Sequence, residues 1–200
     1  MQHRIARTLL SVASVAVLAG APSTLDAQGA SALPAGLEAA KAALAKYADP
    51  IVAIRDGYFS TVGCIDFPTA GGAGQLPYPA GAMGVHFLNM GTVGPQLDSL
   101  RPQVLIYEPV GDKLVLAAAE WFMPVEISKT RPEIFGHPFD GPMEGHQPIM
   151  PAEMHHWDLH VWLWKENPAG MFTATNAAVK CPAGATYTFH DQAPKALPMP

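Results

Sequence analysis

Cysteine is nearly absent from this chain: Cys64 and Cys181 are the whole supply in 200 residues. No C-x-x-C motif is possible, and the pair reads most simply as one disulfide, the alternative being a metal-binding or reactive thiol. Lysine and arginine are also scarce, 12 against 17 acidic side chains. That balance argues against nucleic-acid binding through phosphate contacts. Missing too are G-x-S-x-G, G-x-x-x-x-G-K-[ST], G-x-G-x-x-G, H-E-x-x-H and an acidic calcium loop. Serine-hydrolase, nucleotide-binding and thioredoxin-like chemistries therefore have no carrier.

Long apolar runs are missing after the first residues. At the start, Arg4 and Arg7 precede an uncharged stretch from Thr8 to Ala21. It is too short to span a bilayer and reads as the core of a secretory signal peptide, residues 1–27, cleaved after Ala27. No cysteine follows it, so no lipid or membrane anchor is expected after cleavage. Removing Arg4, Arg7 and Asp26 takes the basic and acidic side chains to 10 and 16, a net charge of about −6. Residues 28–200 then form a single exported domain, periplasmic or secreted, where a disulfide persists. Cross-linking positions so far apart can restrict the unfolded chain by up to about 5 kcal/mol. The oligomeric state is not legible.

What is present points to an α+β domain: N-terminal helices packed on a mainly antiparallel β-sheet or half-open β-barrel. AGLEAAKAALAKY, residues 35–47, is rich in strong helix formers, with Leu37, Ala40, Leu44 and Tyr47 on one face. Asp49-Pro50 can cap a second short helix that ends at Gly57. Residues 68–84 are dense in glycine and proline and read as a loop. GVHFLNM reads as a short strand, and QVLIYEP and KLVLAAAEWFMP flank Val110-Gly111-Asp112 as a hairpin. Six prolines between Met123 and His155 predict a long surface loop without regular structure, lying over the pocket. MFTATNAAVKC reads as a last strand, and the end after Pro194 as frayed.

The stretch HHWDLHVWLW, residues 155–164, carries the chemistry. Strand alternation turns His156, Asp158, His160, Trp162 and Trp164 to one side, and His155, Trp157, Leu159, Val161 and Leu163 to the other. The second set is a core face. The first is polar at one end and aromatic at the other, the pattern of a ligand pocket or barrel lumen. Imidazole is the commonest ligand for zinc, copper and non-haem iron, and Asp158 can ligate or hold the free N–H of a ligating ring. A hydrogen-bonded cluster of core histidines would give the same letters. Glu120 and His86 are ionisable groups inside apolar strands and need partners if buried. The candidate metal ligands are thus His86, Glu120, His156, Asp158 and His160. Trp121, Trp162, Trp164, His137 and His146 are the candidate ligand-binding residues. Met143, Met150 and Met154 near the same strand suit copper, or fill irregular apolar gaps.

MGVHFLN, RPQVLIYEP, FGHPFDGPMEGH and LHVWLWKENPAGMF together resemble an uncharacterised family of bacterial exported proteins, over about residues 58–181. The resemblance implies an exported domain and nothing about activity. More distantly, histidines and a glutamate spread over several strands look like a cupin metal site. The paired H-x-H of an early cupin strand is not present here, since Phe87 and Leu88 follow His86. Three functional readings stand: an exported protein that binds a small ligand or metal ion in a pocket of His, Glu/Asp and Trp; a zinc-, copper- or iron-dependent enzyme with Glu120 or Asp158 as proton acceptor; and a structural envelope protein without ligand. Binding ranks first, because no nucleophile or acid/base pair is legible.

Overall fold

The structure, a computed structural model, describes residues 33–34, 36–72, 76–147, 149–184 and 187–200. The signal peptide expected over residues 1–27 lies outside the described residues. No helix among them is long and apolar enough to cross a membrane.

The apolar face read from the sequence forms α1 (Leu37–Leu44) and a following 3-10 turn, and buries Leu37, Ala40, Leu44 and Tyr47. Asp49 caps α2 (Pro50–Arg55) by accepting a hydrogen bond from the Ile51 backbone N–H at 2.9 Å. The chain turns out of this helix at Gly57, whose φ of 95° suits glycine.

Seven strands make one curled, half-barrel sheet: β1 (Phe59–Phe67), β2 (Gly81–Leu88), β3 (Val104–Val110), β4 (Lys113–Pro124), β7 (Asp140–Met143), β8 (His156–Val161) and β9 (Thr188–His190). Their order is β7-β8-β4-β3-β2-β1-β9, and every pairing is antiparallel except β1 with β9. Two-residue strands β5 (Glu133–Ile134) and β6 (His137–Pro138) pair separately. The β3–β4 hairpin closes through Gly111 and Asp112, with Val110 opposite Lys113. Cys64 of β1 is bonded to Cys181, with Cα atoms 5.6 Å apart and a sequence separation of 117.

The outer sheet face carries the larger core, in which α1 and Tyr58 pack with Phe87, Tyr107, Trp121, Trp157, Leu159 and Val161. The inner face holds Ile65, Phe67, Met83 and Met143 at one end and Val104, Ile106, Ala118 and Trp162 at the other. Tyr78 links β1 and β7 there: its ring packs on Phe67 of β1, and its hydroxyl lies 3.6 Å from the sulfur of Met143 in β7.

Four local expectations are corrected. The expected loop 68–84 gives way to β2 at Gly81, four residues early. Gly84 sits within that strand at φ 90°, where a Cβ would lie 2.6 Å from the Tyr107 carbonyl oxygen. The proline-rich segment does support regular structure, because β7 is a short strand on the sheet's margin, where a missing N–H is tolerated. MFTATNAAVKC is no strand. It meets the sheet at one bridge, Asn176 to Ala82, while Asn167 and Asn176 satisfy backbone groups around it. The tail after Pro194 is tied down: Glu144 N–H donates to Lys195 O at 3.1 Å, and Leu197 N–H to Pro142 O at 2.8 Å.

Candidate metal centre

Register brings the polar residues of the inner face together. Glu120 on β4 lies opposite His160 on β8 and opposite Val104 on β3; His86 on β2 lies opposite Ile106 on β3. Phe122 and Pro124 of β4 face Asp158 and His156. Because side chains two apart share a face, the whole ladder points inward.

Two trios result. In the first, Glu120 Oε2 lies 3.6 Å from His86 Nε2 and 3.5 Å from His160 Nε2. In the second, Asp158 Oδ2 lies 3.6 Å from His156 Nε2 and 3.8 Å from His146 Nε2. The trios touch along one edge, where Asp158 Oδ1 stands 3.9 Å from His160 Nδ1. All six residues are buried. These separations are too long for hydrogen bonds. They match donor atoms around an ion, since bonds of about 2.1 Å at tetrahedral angles hold donors about 3.4 Å apart.

The polar atoms are otherwise unanswered. His86 Nδ1, His156 Nε2, both nitrogens of His160 and both oxygens of Asp158 are buried without a hydrogen-bond partner. No lysine or arginine pairs with Glu120 or Asp158 among the described residues. A carboxylate that stays ionised when buried without a cation costs several kcal/mol. One orientation is fixed: His156 Nδ1 lies 3.1 Å from the Met154 carbonyl oxygen, which can only accept. A proton therefore sits on Nδ1, and Nε2 is the nitrogen turned toward Asp158.

Burial and neighbouring imidazoles push His86 and His146 down to about 3, and burial also lowers His160. Neutral imidazole is the form that ligates. Burial, with the Asp158 charge beside it, raises Glu120 well above the carboxylate range. Burial works to raise Asp158 too, but the surrounding imidazoles of His156, His160 and His146 outweigh it and hold it below its usual value. These buried groups could hold a metal ion.

A cavity of about 300 Å³ opens over them. His86, Glu120, Asp158, His160 and His146 lie on its polar side, and Phe59, Met83, Met90, Phe122, Met150 and Met154 among its apolar walls.

The structure brings together all five sequence-proposed metal ligands and adds His146, which the sequence had grouped with the ligand-binding side chains. The other four of that group do not line the cavity. Trp121 follows Glu120 and so faces the outer core, where it stacks edge-on against Phe135 and donates to Asp98 O. Trp164 lies beyond the end of β8, where alternation no longer holds, and packs on the outer core. Trp162 does face inward, but its ring N–H donates to Thr173 O and its body packs among Val104, Ile106 and Ala118. His137 stacks on Phe172 with ring centroids 4.2 Å apart. The expected covering loop thus divides. Its first part, with Ile134, Phe135 and Phe139, packs on the outer core, and its second brings Met143, His146, Met150 and Met154 to the inner face. Tyr78, 3.5 Å from His146 Nε2, sat in a stretch read only as loop, and nothing in its local sequence marked it.

Comparison with protein families, with curated proteins and with solved structures finds no match.

Proposed function

We propose that this is an exported protein that binds a divalent transition metal ion, zinc, copper or iron, through His86, Glu120 and His160, and receives a small, largely apolar molecule in the cavity above it. One observation carries the reading: the floor of an apolar cavity holds neutral imidazoles and a carboxylate at ligand spacing, with polar atoms that no protein group answers. The donor set of two imidazoles and one carboxylate suits zinc and non-haem iron best. The disulfide fits an oxidising compartment, which supports export. Metal analysis of the untagged, purified protein tests the proposal. About one or more equivalents of one of these metals is expected, with one equivalent fewer in a His86→Ala variant. Protein that is metal-free as purified and takes up none when zinc, iron(II) or copper(II) is offered would sink it.

A metal-dependent enzyme is the second reading, favoured because three protein ligands leave coordination positions open toward the cavity. There the ion would act as Lewis acid or redox centre, with Asp158 as the nearby proton acceptor. Cobalt(II) substitution separates the cases. Visible bands that shift when imidazole is added report an open position; bands that do not respond report a closed, structural ion.

A further inference from the structure

We infer that the centre is built for two metal ions, the second held by His146, His156 and Asp158. One ion in the first trio cannot answer the second, because the donor atoms form two separate groups, each with its atoms within 4.8 Å of one another. With only the first site filled, His156 Nε2 and Asp158 Oδ2 would still face each other at 3.6 Å, both buried without a hydrogen-bond partner. The second trio is also oriented from outside. His156 is held at Nδ1 by the Met154 carbonyl, which turns its Nε2 toward Asp158. Such an outer contact on the far ring nitrogen is what fixes a ligating imidazole in a built site.

Asp158 joins the two. Its Oδ2 belongs to the second trio, while its Oδ1 looks toward Nδ1 of His160, whose Nε2 belongs to the first. Neither His160 nitrogen has a hydrogen-bond partner, and the ring lies between the two carboxyl groups, Nε2 3.5 Å from Glu120 Oε2 and Nδ1 3.9 Å from Asp158 Oδ1. The donor sets are alike, two imidazoles and a carboxylate, so a borderline divalent ion such as zinc or iron(II) suits both. Two dications against two carboxylates give the cavity floor a positive surplus, in a chamber otherwise walled by methionine and phenylalanine.

The test counts ions. Untagged protein is stripped with chelator, reloaded with excess zinc and passed through a desalting column, and retained zinc is measured per chain. The wild type should retain two equivalents. His86→Ala, His156→Ala and His146→Ala should each retain one, with circular dichroism of the metal-free variants unchanged. His146 lies outside the strands, so its variant remains informative if His156→Ala fails to fold. One equivalent in the wild type, lost in His86→Ala and kept in His156→Ala and His146→Ala, would overturn the second ion and leave the first site standing. One equivalent lost in His86→Ala and His156→Ala alike would mean a single ion shared across both trios, which also overturns it. No retained zinc would overturn both sites.

Discussion

The two faces of β8 are equally buried and differ in whether their polar atoms are answered. Outward, Trp157 donates its ring N–H to Ser128 O at 3.1 Å, and on neighbouring outer-face positions Trp121 and Tyr107 likewise reach Asp98 O and Tyr47 O. Inward, His156, Asp158 and His160 keep nitrogen and oxygen atoms unpaired. Burial therefore does not separate a core residue from a ligand; satisfaction does. The outer face carries the larger core, and the inner face carries the buried groups that could hold a metal ion.

The sharpest break in this comparison is Leu159→Ala. Leu159 is fully buried in the outer core, and the cavity left should cost about 2 to 5 kcal/mol in chemical denaturation. Zinc content per folded chain should stay unchanged; a loss of zinc in the folded fraction would show the faces are not separable. Next is the metal itself. Zinc at about one hundred times its dissociation constant should raise apparent stability by about 2.7 kcal/mol through preferential binding to the folded state. A melting temperature indifferent to zinc would blur the two faces into one core.

Smaller still is His160→Ala measured without metal. Its ring buries two unpaired nitrogens, so removing it should change stability by about 1 kcal/mol or less while reducing the zinc response. An unfolded variant would make the histidine structural. The smallest effect belongs to the surface. Asp56 is held below its usual carboxylate range first by Lys46, at 2.6 Å, and then by Tyr47. A depressed carboxyl stabilises above its unfolded value and loses that contribution as pH falls through the folded one. Asp56→Asn should therefore lower the melting temperature slightly at neutral pH and not at all in strong acid, with salt reducing the difference.

Legibility followed the period of the side chains. The β8 faces and the helix face through Leu37 and Leu44 obey an unbroken repeat, and the β3–β4 hairpin is marked by its turn at Gly111-Asp112 despite a register shift at Ile106/Tyr107, so the sequence displayed them. β1 escaped notice because Val62 has φ 66° and the pairing with β2 shifts between Ser60 and Cys64, which breaks the alternation. The tryptophans misled because chemistry was weighed without direction: Trp121 adjoins Glu120 and must point the other way. His146 came to the site on a segment tied by Gly145 N–H to Ala152 O and by Met150 N–H to His146 O, a placement that no local period encodes. The pairing of Cys64 with Cys181 needed no geometry at all, since two cysteines admit one bridge.

The tail crossing from one sheet margin to the other has a consequence for how chains meet. β9 lies beside β1 at one margin, and by Lys195 to Leu197 the chain hydrogen-bonds with Pro142 and Glu144 at the other. A margin strand with free amides and carbonyls is a template on which another chain can add a strand. Here the molecule occupies that template with its own last residues. Trimming the chain after Pro194 would free the Glu144 amide and the Pro142 carbonyl beside β7, and the protein would be expected to polymerise edge to edge while its interior remained unchanged.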